Sequence, residues 1–143
     1  MGFGLPAAIG CKIAAPDREV IAILGDGGAQ MTIQELGTIM QENLAVKIVI
    51  LENGFLGMVR QWQELFFESR YSFTGLKNPD FVKICEAYGV EGLRVTDRAA
   101  LPAAIDRMLE AKRAFMLNIV VEREENVWPM IPAGARVTDI RLE

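Results

Sequence analysis

Three apolar runs constrain this chain more than any other feature. Residues 19–26 read EVIAILGD, residues 47–53 read KIVILEN, and residues 115–121 read FMLNIVV. The apolar side chains follow one another instead of alternating with polar ones. Both faces of such a segment seek cover, which is the pattern of strands inside a parallel sheet. A shorter strand fits residues 92–95. Between the runs the apolar spacing lengthens to helical period, over residues 5–14, 32–42, 56–67, 79–88 and 101–112. The stripe near the second of these is Met31, Ile33, Leu36, Ile39 and Met40. For the fourth, Asn78 suits the N-cap and Pro79 the first helical position. Alternating buried strands and helices predict an α/β fold, a parallel sheet flanked by helices. Residues 1–127 are expected to form this domain. Residues 128–143, with Pro129, Pro132 and Gly134, are expected to run as an extended tail over its surface.

Composition narrows the chemistry. The 143 residues carry 15 Lys and Arg against 19 Asp and Glu, a net charge of −4. With no basic cluster, a nucleic-acid surface is not expected. No apolar run reaches membrane-spanning length, so no membrane partner is expected. The first ten residues lack the positive n-region of a secretory leader. Cys11 and Cys85 form no CxxC pair and read as packed thiols in a reducing, cytoplasmic setting. The chain has no His. Triads built on His, His-based acid–base catalysis and His-ligated zinc are excluded. Chemistry here would fall to a bound group.

Two glycine-rich segments could hold such a group. Gly2-Phe3-Gly4-Leu5-Pro6-Ala7 matches the dinucleotide fingerprint, but only Met1 precedes it where a strand is required. Close packing at a helix start is the better reading. Gly25-Asp26-Gly27-Gly28 follows the first strong strand, where ligands of parallel sheets bind. Gly27 and Gly28 permit close backbone approach, and amides at the following helix start can face phosphate oxygens. Asp26 repels bare phosphate, so its place there makes sense with a hard cation such as Mg²⁺ between them. The second strand ends in Glu52-Asn53-Gly54-Phe55. If the two strands are neighbours, Asp26 and Asn53 offer two oxygen ligands, and the carbonyl of Phe55 offers a third. The same residues also suit plainer duties, Asp26 as a helix N-cap and Asn53 in a turn.

GDG followed by Asn at this spacing resembles the motif of thiamine-diphosphate enzymes. GDGGAQMTIQELGTI (25–39) and KIVILENGFLGMVRQWQELFF (47–67) are similar to the catalytic subunit of acetolactate synthases, and so are MGFGLPAAIG and VWPMIPAGA. The resemblance implies that Asp26, Asn53 and the Phe55 carbonyl ligate Mg²⁺. It implies that Gly25, Gly27, Gly28 and Ala29 meet the diphosphate. It sets Met1 beneath the thiamine and Leu56, Gly57 and Met58 along the cofactor. Met58 and Trp62 would shape the substrate pocket, Trp62 favouring 2-oxobutanoate as acceptor. Periodicity alone gives Met1, Met58 and Trp62 to packing. Glu52 departs from the family, which often has Asn there, and puts an extra anion near the diphosphate.

The implied reaction is decarboxylation of pyruvate and condensation with a second 2-oxo acid, giving 2-acetolactate or 2-aceto-2-hydroxybutanoate. Family members carry two further domains before this region, one with the glutamate that activates thiamine and one that binds FAD. The chain is therefore expected to begin inside a domain, with the first strand missing, to be inactive alone and to self-associate. A regulatory small subunit is a possible partner in the family. A different thiamine-diphosphate decarboxylase or oxidase, and a non-catalytic assembly module, are the competing readings.

Overall fold

The computed structural model describes residues 1–142. Four parallel strands form one sheet: β1 (Val20–Gly25), β2 (Val46–Glu52), β3 (Glu91–Val95) and β4 (Phe115–Val120), in the order β1-β2-β4-β3. These are the four segments read from the sequence, within a residue or two at each end. Their carboxyl ends lie along one edge, with Gly25 paired to Leu51 and Glu52 to Val120.

Alternating side chains divide the core between the two faces of the sheet. Ala22, Leu24, Ile48, Ile50 and Met116 pack with Leu5, Ile9, Leu36, Ile39, Phe81 and Cys85. These last residues come from α1 (Gly4–Ala14), α3 (Leu36–Gln41) and α5 (Phe81–Ala87). Val49, Phe115 and Leu117 face the other way, onto Ala104 and Met108 of α6 (Leu101–Glu110). Burial of both faces holds for β2 and β4. It does not hold for β1, whose Ile21 and Ile23 face outward, because α6 covers the β3 side of the sheet.

Three helix expectations shift. A six-residue helix, α2 (Asp26–Met31), begins directly at the end of β1. The helix expected over 32–42 is therefore divided into a 3-10 turn at Ile33–Glu35 and then α3. The N-cap of α5 is Asp80, whose side chain accepts from the Lys83 amide, and not Asn78. At Gly4, a Cβ would stand 2.4 Å from Leu24 Cδ2, which supports close packing of the GFG segment. The tail turns back on itself, Met130 and Arg141 exchanging backbone hydrogen bonds of 2.9 and 2.8 Å. It is seated on α4 (Gly57–Phe66), where Gln61 bonds both the amide and the carbonyl of Val127. Among the described residues no helix is long and apolar enough to cross a membrane.

Candidate functional site

The site lies where β1 and β2 end side by side. Parallel pairing in register carries Asp26 and Asn53 to the same edge. Asp26 is the first residue of α2, with Gly25 as its cap residue, so it is not itself an N-cap. Its side chain is 1% exposed. Oδ1 accepts from the Gly27 amide at 2.8 Å. Oδ2 accepts from the Gly54 amide at 2.7 Å and from Asn78 Nδ2 at 2.7 Å. All three donors are neutral. Among the described residues no Lys or Arg forms an ion pair with it. A buried carboxylate met only by amides is an incomplete arrangement, because burying a charge is costly unless it is paired.

Asn53 closes a local turn, its Oδ1 accepting from the Phe55 amide at 3.0 Å. The turn presents the Gly54 amide to Asp26, and Gly54 holds a left-handed φ of 73° that favours glycine. Phe55 faces Gly75 in a short antiparallel bridge. That bridge uses the Gly54 carbonyl and the Leu56 amide, at 2.8 Å each, and leaves the Phe55 carbonyl outside it.

A cleft of about 240 Å³ opens beside these groups. Met1, Gly25, Asp26, Gly27, Gly28, Phe55, Leu56, Gly57 and Met58 all line it, together with Val59, which the sequence reading missed. At two positions in its wall, glycine leaves room for a neighbouring side chain. A Cβ on Gly27 would meet Leu56 Cδ2 at 2.5 Å, and one on Gly57 would meet Asn53 Nδ2 at 3.1 Å. Three expected residues stand apart from the cleft lining. Asn53 is half-buried within the turn, and Ala29 is buried in the core, beyond the free amides of the first helical turn. Trp62, one turn along α4 from Met58, borders an adjoining apolar hollow of about 510 Å³ with Gln63, Phe67 and Arg70, and Val59 lines both.

The donor set suits a hard cation. Among the described residues no three His, Cys, Asp or Glu side chains gather as a metal cage. One carboxylate, one amide oxygen and one carbonyl match instead the sparse protein share of Mg²⁺ sites that are completed by phosphate and water. Glu52 does not crowd this set. Its Oε2 accepts from Asn118 at 3.0 Å and from Arg94 at 3.1 Å, which turns its charge along the sheet edge.

Comparison with known proteins follows the same lines. Residues 1–119 match the family described as thiamine pyrophosphate enzyme, C-terminal TPP binding domain. The acetolactate synthase isozyme 2 large subunit of Escherichia coli (strain K12) is 48% identical over 136 residues, covering 94% of this chain and 25% of that protein. Acetolactate synthase 2, chloroplastic, of Nicotiana tabacum is 45% identical, covering 100% of this chain and 23% of that protein. Among solved structures, the thiamine diphosphate-dependent 4-hydroxybenzoylformate decarboxylase of Rhodococcus jostii RHA1 superposes with a TM-score of 0.79 at 34% identity. That match covers 89% of this chain and 24% of the other. The chain spans about a quarter of the length of the relatives it matches.

Proposed function

The chain belongs to the thiamine pyrophosphate enzymes as their C-terminal TPP-binding domain, and on that premise we propose that it holds thiamine diphosphate through Mg²⁺ in an acetolactate synthase catalytic subunit. The observation that carries this reading is Asp26, a buried carboxylate with no cationic partner among the described residues, at the edge of a glycine-lined cleft. Thiamine diphosphate, once bound, supplies the electron sink for loss of CO₂ from pyruvate and for joining the remaining two carbons to a second 2-oxo acid.

The chain's own residues bind and orient. Asp26, Asn53 and the Phe55 carbonyl hold the cation. Gly27 and Gly28 let the diphosphate approach the backbone. Met1, Leu56, Gly57 and Met58 wall the cofactor. Met58 and Trp62, on successive turns of α4, border the acceptor, pyruvate or 2-oxobutanoate. The activating glutamate and FAD belong elsewhere in a longer protein, which works as a homo-oligomer in the cytoplasm, with a regulatory small subunit as a further partner.

Calorimetry tests the cofactor role. Thiamine diphosphate is expected to bind the protein in a Mg²⁺-dependent manner, and Asp26→Ala is expected to abolish that dependence. Unchanged affinity in Asp26→Ala refutes the assignment. The 143-residue chain mixed with pyruvate, Mg²⁺ and thiamine diphosphate is expected to form no acetolactate. Measurable product would show that no other domain is needed.

A further inference from the structure

By sequence Asn78 suits a helix cap, and the structure gives that duty to Asp80. Asn78 instead turns its amide into the site. Nδ2 donates to Asp26 Oδ2 at 2.7 Å and lies 3.4 Å from Glu52 Oε1. Its Oδ1 accepts from Gln30 Nε2 at 2.8 Å. These contacts fix which way the amide faces. Flipped, its oxygen would confront two carboxylates and its NH₂ group would confront another NH₂. Glu52 is itself anchored by Asn118 on β4 and Arg94 on β3. A continuous polar chain thus runs across the carboxyl edge of all four strands and ends on Asp26.

We infer that Asn78 is a positioning residue for the cation site: it fixes the rotation of the Asp26 carboxylate, and Gln30 and Glu52 fix Asn78. An ionised carboxylate has about four lone-pair sites. Three are taken in Asp26, two of them on Oδ2. The remaining one is on Oδ1, so Oδ1 is the oxygen that reaches a cation. Loss of the Asn78 donor leaves Oδ2 on the Gly54 amide alone and loosens the carboxylate's rotation. Glu52 serves this arrangement without competing for the cation, because Arg94 neutralises it.

The inference rests on Asp26 being a cation ligand, and the test keeps the two apart. Mn²⁺, a spectroscopic substitute for Mg²⁺, is titrated by electron paramagnetic resonance in the full protein with thiamine diphosphate present. The variants are Asp26→Ala, Asn78→Ala and Gln30→Ala. Asp26→Ala is expected to lose Mn²⁺ binding. Asn78→Ala is expected to weaken it roughly 10–100-fold, the usual cost of removing a partner that orients a metal ligand. Gln30→Ala is expected to weaken it less. Cofactor-free melting is expected to stay near wild type in both. If Asp26→Ala binds Mn²⁺ normally, the reading of Asp26 falls and this inference with it. If Asp26→Ala loses binding while Asn78→Ala retains it, only the positioning role is overturned. A loss of Mn²⁺ affinity that merely tracks a drop in cofactor-free melting temperature also overturns it. Should Asn78→Ala fail to fold, Gln30→Ala decides: weakened binding supports the role, and unchanged binding refutes it.

Discussion

At the scale of single residues, environment assigns different work to chemically equal groups. Asp26 directly follows β1 and Glu52 ends its neighbour β2, yet among the described residues Asp26 meets only amides and Glu52 meets Arg94. The two cysteines diverge as sharply. Cys11 is exposed on α1, while Cys85 is buried under the sheet. Burial, with Glu86 adding to it, pushes the Cys85 thiol up from 9.0 to about 12. Iodoacetamide at pH 8 is therefore expected to label Cys11 in the native protein and Cys85 only after unfolding, read by peptide mapping. The pH dependence has a defined sign. Between pH 9 and about 12 the unfolded chain has released this proton and the folded chain has kept it. Stability then falls as pH rises through that window, and Cys85→Ala is expected to remove this part of the slope in urea titrations. The placement of Asp26 and the glycines along one cleft was legible in the sequence because their spacing follows the strands. The contact between Asn78 and Asp26 was not. Asn-Pro before a helix looks like a cap, and only the fold reveals that Asp80, two positions on, caps instead and leaves Asn78 free.

At the scale of elements, strands were read more faithfully than helices. Continuous apolar runs have one good solution in a parallel sheet, so β1, β2 and β4 emerged almost at their final bounds. The short α2 was hidden because Gly27 and Gly28 have poor helix propensity. It forms where β1 delivers the chain, with Ala29 buried against the core. Asp80→Ala removes the α5 cap and is expected to cost about 1 kcal/mol in urea unfolding. The tail gives the other expectation at this scale. Gln61, 1% exposed, holds Val127 by bonds of 3.0 and 2.9 Å. Gln61→Leu puts an apolar side chain there and strips both partners from the Val127 backbone, a loss of about 1–3 kcal/mol where such groups stay buried. Faster amide exchange at Val127, with exchange in β2 unchanged, is the expected result. Equal exchange in both proteins would show that the tail is seated by its apolar contacts alone.

At the scale of the whole molecule, the uneven cover of the sheet has a consequence for association. Both faces of β2 and β4 are enclosed, but β1 is an edge strand that lends Ala22 and Leu24, with the partly buried Val20, to one side of the core. Ile23 is 68% exposed on its other face, beside the half-exposed Ile21. Their β-branched apolar side chains are what made the segment read as doubly buried. The sequence pattern therefore describes a covered strand, and the described residues supply cover on one side only. Unpaired backbone groups and an apolar face together favour pairing with another chain. The 143-residue chain is expected to exceed its monomer mass of 15.8 kDa in light scattering. Ile21→Lys with Ile23→Glu adds no net charge, leaves Ala22 and Leu24 in place and should lower the measured mass. A wild-type chain that remains monomeric would remove the β1 face as an association surface. A variant as large as wild type would move that surface elsewhere, with the apolar residues around Trp62 and Phe66 on α4 the next to substitute.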